Sequence, residues 1–383
     1  MSFASPLVAG LDRASVDAII DAIERRRPVG LIHDRLPADQ RDELAARLAA
    51  SPVPDDTAAV VFTTGSTGRP KGVVLSHAAT HAAVAASAAR LGVRSDDRWL
   101  LALPPAHIAG LGVILRSLAA RTPIVVAAGG DRAMVAAALA GDAITLTSLV
   151  PTQLAALLDD PAWRPPPSLR AVLLGGAAAP AAVIARARAR GVPVLLTYGM
   201  SESCGQAATC PPGEPPPPGA VGRPLDGVTI TAGTRAAPAV IAIRTPSGFT
   251  GYLDQPRFDP EVIVTADLGF VEDGWLHVVG RVDDVIITGG EKVHPTTVED
   301  ALTRVPGVAA ACVVGVPDPS WGQLVAAAIV AGPGFERAAL DAAIAALPPH
   351  ARPRRLIVVD TLPLGATGKI DRRAVAASFD GCG

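Results

Sequence analysis

The sequence has few aromatic residues and no long apolar run, and each shortage excludes a class of protein. Aromatic residues make up 3% of the 383 residues and hydrophobic residues 49%, so the core is expected to consist mostly of Ala, Val, Leu and Ile. No uninterrupted apolar run approaches the roughly 20 residues that a membrane-spanning helix needs. The N-terminus has no basic segment followed by an apolar one, so a secretory signal is not expected either.

An excess of one charge and a cysteine cluster are also missing. The 34 Lys and Arg residues against 36 Asp and Glu residues give a net charge of −2, which provides no basic field for nucleic acid. We therefore expect no nucleic-acid partner and no membrane span, and a homodimer stays open. The four cysteines are scattered without metal-ligand spacing, which is typical of a reducing cytosol: Cys204, Cys210, Cys312 and Cys382.

Short apolar runs alternate with Ala-rich stretches in the first half of the chain. Residues 11–50 have helical periodicity, and Ser76 is a plausible N-cap for a helix that runs to about residue 90. The alternation predicts an α/β fold with doubly wound, mostly parallel sheets. The predicted strands are 100–103, 124–127, 144–147, 171–174 and 194–197, and the predicted helices are 111–120, 132–140, 152–158 and 181–190.

The second half of the chain has a different pattern. After a proline-rich break at 210–219, four short apolar runs without helices between them predict a small antiparallel, barrel-like sheet, and Asp273 and Gly274 form a hairpin turn signal. The last part alternates strands and helices as a compact α+β unit. We expect this unit, from about Val285 on, to be a separate C-terminal domain.

A glycine-rich loop follows the apolar run 58–62. Hydroxyl side chains, three glycines and two cations fall within ten residues, and such a loop can present backbone N–H groups and cations to a polyphosphate. It is not a Walker A loop, because the spacing differs and no helix follows the lysine. A surface turn is the alternative interpretation. The residues assigned to ATP are Thr63, Thr64, Gly65, Ser66, Thr67, Gly68 and Lys71.

This loop resembles the phosphate loop of the acyl-adenylate-forming superfamily, which includes acyl-CoA ligases, adenylation domains and luciferases. Residues 198–202, Tyr-Gly-Met-Ser-Glu, match the superfamily's Tyr-Gly-x-Thr-Glu motif, with a serine in place of threonine. The resemblance implies that Tyr198 and Gly199 lie against adenine, that Ser201 contacts phosphate and that Glu202 binds Mg²⁺. A carboxylate behind a phosphate loop suits Mg²⁺ held between the protein and ATP oxygens.

The resemblance extends through the C-terminal third of the chain. It implies that Asp267 and Arg281 bind the ribose. It also implies that Asp283 is the hinge between an N-terminal domain over 1–282 and a small mobile C-terminal domain over 283–383. It also implies that Lys369 is the catalytic lysine that meets the acyl carboxylate and the α-phosphate, where a cation stabilises developing charge. The loop at Gly289 and Gly290 resembles the one that lines the pantetheine tunnel for coenzyme A. Because the glycine loop begins at residue 63, a shortened first subdomain is expected.

The substrate is narrowed by a second set of residues. His107 resembles the aromatic gate beside the acyl pocket, and Arg116 follows it by nine residues. This spacing resembles that of the o-succinylbenzoate–CoA ligases of menaquinone biosynthesis, in which the arginine helps to hold the second carboxylate of the substrate. A surface arginine is the other interpretation. Gly175, Gly176 and Ala177 resemble the loop of that family that borders the aromatic ring and adenine.

The sequence thus predicts a Mg²⁺-dependent acid–CoA ligase that uses ATP and coenzyme A and works through an acyl-adenylate. Three alternatives stay open. The acid could be another aryl or short-chain acid, the acceptor could be a carrier-protein thiol, or the chain could be a nucleotide-binding regulator without catalytic activity.

Overall fold

The computed structural model describes residues 2–63, 69–141, 143–255, 261–365 and 370–379. Its helices are α1 Arg13–Glu24, α2 Ala38–Ala50, α3 His77–Leu91, α4 Ile108–Ala120, α5 Arg132–Gly141, α6 Pro151–Leu158, α7 Ala181–Ala189, α8 Pro295–Thr303, α9 Arg337–Ala346 and α10 Arg372–Ala377. Its strands are β1 Ser2–Phe3, β2 Ser5–Ala9, β3 Val29–His33, β4 Pro52–Val53, β5 Thr57–Thr63, β6 Lys71–Ser76, β7 Trp99–Leu101, β8 Ile124–Val126, β9 Leu146–Leu149, β10 Ala171–Leu174, β11 Val194–Met200, β12 Gly205–Thr209, β13 Ala220–Pro224, β14 Thr229–Thr231, β15 Ala239–Arg244, β16 Gly251–Tyr252, β17 Ile263–Glu272, β18 Trp275–Arg281, β19 Ile286–Thr288, β20 Glu291–Val293, β21 Val308–Asp318, β22 Gly322–Ala331 and β23 Arg355–Val359.

The largest sheet has the strand order β14-β15-β17-β18-β13-β12-β11-β10-β9-β7-β8. One half of this sheet is parallel and consists of β11, β10, β9, β7 and β8. The other half is antiparallel and consists of β12, β13, β18, β17, β15 and β14. The predicted antiparallel sheet therefore continues the parallel one, because β12 and β13 join them. The β17–β18 hairpin turns at Asp273 and Gly274, which both have positive φ, as the turn signal predicted.

Alternate side chains of the parallel strands enter two different cores. Leu101 and Leu173 pack in the core that contains helices α1 and α4, whereas Leu100 and Val172 pack with helices α5 to α7. Successive strand residues point to opposite faces, so a sheet covered by helices on both sides needs such continuous apolar runs. The predicted α/β, doubly wound class is confirmed.

A second sheet has the order β16-β6-β5-β3-β2, and it places the glycine loop between β5 and β6. Here the prediction of a helical stretch over 11–50 was wrong in its middle, since Val29–His33 forms the fully buried strand β3. This strand pairs in parallel with β2 and with β5, and these partners lie far from it in sequence. Ser76 caps α3 as predicted, with its Oγ accepting a hydrogen bond from Ala79 N at 3.0 Å.

The C-terminal part forms its own sheet, β20-β19-β22-β21, to which β23 adds alongside β22. Its apolar residues form two cores that contain no residue from the part before Ile286. A boundary at 282/283 and a hinge at Asp283 stay predictions, and both agree with this separation of cores. In the part of the chain that the structure describes, no helix is long and apolar enough to cross a membrane.

Candidate active site

The ends of the glycine loop are fixed by strand pairing. Thr63 is the last residue of β5 and lies opposite Lys71, the first residue of β6. Thr63 Oγ1 lies 3.5 Å from the Lys71 carbonyl oxygen as a weak donor. The predicted phosphate ligands Thr64, Gly65, Ser66, Thr67 and Gly68 lie outside the described residues.

Arg47, on helix α2, supports the end of this loop and was not predicted from the sequence. Its Nη1 donates to the carbonyl oxygen of Pro70 at 2.9 Å, and its Nε donates to Asp254 Oδ2 at 2.8 Å. The side chain also lies over the ring of Phe62, with Cζ 5.6 Å from the ring centre. The arginine thus ties the loop to the turn after β16, and contacts this distant in sequence leave no local pattern.

Tyr252 connects Glu202 to Lys71 at the end of the glycine loop, and sequence reasoning missed this tyrosine. Glu202 belongs to the one-turn 3-10 helix Ser201–Ser203 that ends β11, in which the predicted phosphate contact Ser201 is buried. Tyr252 Oη donates to Glu202 Oε1 at 3.0 Å, and Lys71 Nζ lies 5.2 Å from the centre of the Tyr252 ring. Burial, followed by the charge of Glu202, raises the pKa of Tyr252 above its ordinary value, so the phenol remains a donor at neutral pH.

The donor set at Glu202 fits a magnesium ion that is held mainly by substrate. Among the described residues, no group of three or more His, Cys, Asp or Glu side chains could enclose a metal by itself. Mg²⁺ in nucleotide sites is usually bound by one or two carboxylates together with phosphate oxygens and water. The second oxygen of Glu202 could supply such a ligand, and the bound ion would neutralise phosphate charge.

The second carboxylate of the candidate site is Asp267, a predicted ribose ligand, which two side chains hold in place. Tyr198 Oη donates to Asp267 Oδ2 at 2.7 Å, and Arg281 Nη1 donates to Asp267 Oδ1 at 3.1 Å. Burial, followed by the charge of Asp267, raises the pKa of Tyr198. Arg281 Nη2 also lies 3.5 Å from Asp283 Oδ2, so the predicted hinge residue adjoins the predicted ribose ligands. The structure therefore brings Tyr198, Asp267 and Arg281 together.

Two of the predicted site glycines are required by close backbone contacts. A Cβ atom at Gly199 would lie 1.7 Å from the carbonyl oxygen of Gly205. At this point a bulge shifts the register between the paired strands β11 and β12. A Cβ atom at Gly175 would lie 2.9 Å from the carbonyl oxygen of Thr197. Gly176 has a φ of 80° and Ala177 is exposed, so this loop is open at the end of β10.

The predicted gate residue His107 is the N-cap residue of α4. Its ring centre lies 4.9 Å from that of His33, at the end of β3, with the planes tilted by 50°. His33 is buried, and its Nδ1 lies 3.0 Å from both Arg35 N and Asp34 Oδ1. Burial lowers the pKa of His33. Sequence reasoning missed His33, because it lies in the segment that was assigned to helix.

Arg116 is buried, contrary to the interpretation of a surface arginine, with 8% of the residue exposed. Its Nη2 donates to Gln206 Oε1 at 2.9 Å, and its Cζ lies 5.3 Å from the centre of the Trp99 ring. It makes no ion pair with a carboxylate within the described ranges, and its Nη1 has no hydrogen-bond partner there. Burial lowers the pKa of Arg116 to about 10, so the side chain still carries its charge at neutral pH.

The predicted coenzyme A loop connects β19 and β20. Gly289 and Gly290 both have positive φ, and Gly289 N donates to the carbonyl oxygen of Trp321 at 2.9 Å. The predicted catalytic residue Lys369 lies outside the described residues. Its neighbours Leu364 and Ile370 pair as an isolated antiparallel bridge, so the ends of that segment lie side by side.

The chain matches two family models. Residues 7–253 match the model of the AMP-binding enzyme, and residues 297–369 match that of the AMP-binding enzyme C-terminal domain. The "Probable 2-succinylbenzoate--CoA ligase" of Mycobacterium tuberculosis H37Rv is 40% identical over 365 residues, which cover 90% of this chain and 91% of that protein. The "2-succinylbenzoate--CoA ligase" of Bacillus licheniformis is 36% identical over 335 residues, which cover 83% of this chain and 69% of that protein.

The similar solved structures include o-succinylbenzoate CoA synthetase from Bacillus subtilis. Its complex with the acyl-adenylate intermediate OSB-AMP has a TM-score of 0.83 and 27% identity, and the match covers 98% of this chain and 88% of that one. Its complex with ATP and magnesium ion has a TM-score of 0.82 and 27% identity, covering 97% and 88%. A double mutant with the product analogue OSB-NCoA has a TM-score of 0.65 and 28% identity, covering 97% and 87%.

These matches confirm the superfamily that the glycine loop and the Tyr-Gly-Met-Ser-Glu motif predicted. The AMP-binding enzyme model alone spans more than half of the chain, and the model of its C-terminal domain follows in the expected order. The chain belongs to the family of AMP-binding enzymes.

Proposed function

We propose that this protein is an ATP-dependent ligase that joins o-succinylbenzoate to coenzyme A and releases AMP and diphosphate. The family and the names of the similar proteins support the reaction type and the acid. The observation that carries the choice of acid is Arg116, a buried cation without a carboxylate partner among the described residues. A buried charge without a partner is costly, and a substrate with a second carboxylate would supply the missing partner.

In the first step, a carboxylate oxygen of the acid attacks the α-phosphorus of ATP. The new oxygen–phosphorus bond forms as the bond from the α-phosphorus to the bridging oxygen breaks, and diphosphate leaves with that electron pair. The glycine loop and Lys71 would orient the phosphates, and Tyr252 holds Glu202 in place. Asp267 and Arg281 would bind the ribose, and Lys369 would contact the reacting oxygens. Such positioning and electrostatic stabilisation account for most catalysis of phosphoryl-type transfer.

In the second step, the thiol sulfur of coenzyme A attacks the carbonyl carbon of the acyl-adenylate. The carbon–sulfur bond forms, the carbonyl carbon–oxygen bond to AMP breaks, and the thiol proton passes to solvent. We propose that the C-terminal domain turns about Asp283 between the steps, which would withdraw Lys369 and bring Gly289 and Gly290 to the thiol. The C-terminal part has its own sheet and its own cores, which supports a unit that can move as a whole.

A substrate panel tests this function. Purified protein is given ATP, Mg²⁺ and coenzyme A with o-succinylbenzoate, benzoate or a short fatty acid, and AMP release is measured with and without coenzyme A. We expect o-succinylbenzoate to give the highest kcat/KM and the release to depend on coenzyme A. A ligase for another acid would prefer another member of the panel, and an enzyme that loads a carrier protein would not consume the adenylate with free coenzyme A.

Arg116→Ala provides the matched variant for the same assay. The loss of the cation should raise KM for o-succinylbenzoate by about tenfold or more, because the second carboxylate loses a charged hydrogen bond. Arg121→Asn is the control, since Arg121 is exposed at the end of the same helix. An unchanged KM for the best acid in Arg116→Ala would favour the ligase for another acid.

We also propose that the enzyme works in the cytoplasm. Cys204, Cys210 and Cys312 are free and buried, and unpaired cysteines suit a reducing compartment. A homodimer is a further proposal, which light scattering of the purified protein would test.

A further inference from the structure

The guanidinium of Arg116 is held by a neutral side chain. Gln206 Oε1 accepts hydrogen bonds from Arg116 Nη2 at 2.9 Å and from Ser87 Oγ at 2.6 Å. Gln206 Nε2 donates to Thr209 Oγ1 at 2.7 Å. All four residues are buried. Arginine has no acceptor atom, so the amide oxygen must face Arg116 and the amide orientation is fixed.

The neutral charge of Gln206 is important because a carboxylate would fit the same position. Its three neighbours could each donate to a carboxylate, since the hydroxyl groups of Ser87 and Thr209 rotate and Arg116 only donates. A glutamate there would therefore form a buried ion pair with Arg116 and neutralise it. With glutamine, Arg116 is oriented while no carboxylate among the described residues compensates its positive charge.

A second observation indicates that an anion completes this site. Arg116 Nη1 and Trp99 Nε1 are both buried N–H groups without a hydrogen-bond partner in the described ranges. They belong to neighbouring groups, with Arg116 Cζ 5.3 Å from the centre of the Trp99 ring. Each unpaired buried donor costs free energy, and a carboxylate bound at Arg116 Nη1 would satisfy that donor.

We propose that Gln206 is a positioning residue that determines specificity: it orients Arg116 through a neutral acceptor and so reserves the cation for the second carboxylate of the acid. This inference rests on the proposed function only in that the acid carries two carboxylates. Ser87 acts behind Gln206, because its hydroxyl donates to the same amide oxygen. Selection for a dicarboxylate would then depend on the charge of a residue that does not itself contact the acid.

The test compares wild type with Gln206→Glu on three acids. These are o-succinylbenzoate and its two analogues that each lack one carboxylate, 4-oxo-4-phenylbutanoate and 2-butanoylbenzoate. The analogue that wild type adenylates is the reference acid with one carboxylate. Diphosphate release with saturating ATP and coenzyme A gives kcat and KM separately. Gln40→Glu, at an exposed position of α2, adds the same charge elsewhere.

We expect Gln206→Glu to raise KM for o-succinylbenzoate by about tenfold or more with little change in kcat. KM for the reference acid should change less than about threefold, so the preference for the dicarboxylate falls. Ser87→Ala should shift the preference in the same direction by a smaller factor. An equal fall for both acids would show a merely structural role for Gln206 and overturn the proposal, and so would an unchanged preference.

Failure of the proposed function would look different. In that case wild type itself would prefer a monocarboxylic acid, or would not adenylate o-succinylbenzoate, before any variant is compared. A wild type that prefers a monocarboxylic acid would also overturn the role of Gln206, whereas a wild type that prefers the dicarboxylate leaves only Gln206→Glu to decide it.

Discussion

Tyr198 donates a hydrogen bond from its phenol to Asp267 Oδ2 at 2.7 Å, across 69 residues of sequence. The chain has two tyrosines, and each donates to a carboxylate of the candidate site, since Tyr252 bonds Glu202. The phenols hold the two carboxylates in place before a nucleotide binds. Fixed acceptors lose less freedom on binding than mobile ones, which favours affinity.

Tyr198→Phe tests this support. The variant removes one of the two hydrogen bonds to Asp267 but leaves Arg281, and a bond to a charged group typically contributes about 1.5–3 kcal/mol. We expect the free energy of unfolding in urea to fall by about 1–2 kcal/mol and KM for ATP to rise moderately, because Arg281 alone then holds the carboxylate. Asp267→Asn, by contrast, should raise KM for ATP strongly. A Tyr198→Phe protein as stable as wild type would mean that the phenol does not support the carboxylate.

Arg47→Met tests the support of the glycine loop. Methionine keeps the apolar packing on Phe62 but loses the bonds to Pro70 and Asp254. We expect KM for ATP to rise by about three- to tenfold in diphosphate exchange, because a less ordered loop pays more entropy on binding. KM for the acid should stay unchanged. The control is Arg41→Met, on the same helix, whose guanidinium makes one long bond of 3.4 Å to Asp34. Equal effects of both variants on KM for ATP would mean that Arg47 does not order the glycine loop.

Gly289→Ala and Gly290→Ala test the coenzyme A loop. Both glycines have positive φ, so both variants are strained. At Gly289 alone, the added Cβ would also lie 2.7 Å from the Trp321 ring, whereas nothing lies within 4 Å at Gly290. We expect both variants to keep diphosphate exchange and to lose thioester formation, with Gly289→Ala the more impaired. Loss of diphosphate exchange in both would place the loop in the first step instead.

Because four histidines are at least partly buried, we expect the free energy of unfolding to fall in mild acid. Burial lowers the folded-state pKa of His33, His77, His277 and His294 below the ordinary 6.5. The unfolded chain therefore binds more protons between the two pKa values, and stability rises with pH across that window. Their contribution is full above about pH 7 and falls as the pH drops toward about 5. Urea unfolding at pH 7.5 and 5.5 measures it, and His33→Asn should flatten the dependence. Equal stability at both pH values would contradict this expectation.

Structural features that depend only on neighbouring residues could be predicted from the sequence. The cap at Ser76 and the turn at Asp273 and Gly274 depend on side chains within a few residues, and the structure contains both. Strand β3 was not predicted, because its five residues lie between two helices and its stability comes from pairing with β2 and β5. Periodicity does not distinguish so short a buried run from helix.

From the sequence, only those residues of the candidate site that belong to motifs could be predicted. The sequence indicated Tyr198, Glu202 and Asp267, but the residues that hold them were missed. Tyr252 lies 50 residues after Glu202, and Gln206 lies 90 residues after Arg116. Such contacts arise when separate elements fold together and leave no spacing to read. The burial of Arg116 likewise follows from the packing of α4 against the sheet and could not be decided from a lone arginine.

The most direct measurement is a single-turnover experiment with excess enzyme, o-succinylbenzoate, ATP and Mg²⁺, quenched first without and then with coenzyme A. We expect about one equivalent of acyl-adenylate and of diphosphate per limiting acid before coenzyme A is added. After its addition, the acyl-adenylate should be converted to thioester and AMP. Contradiction would come from an enzyme that forms no adenylate of o-succinylbenzoate but adenylates another acid, or from an adenylate that coenzyme A does not consume.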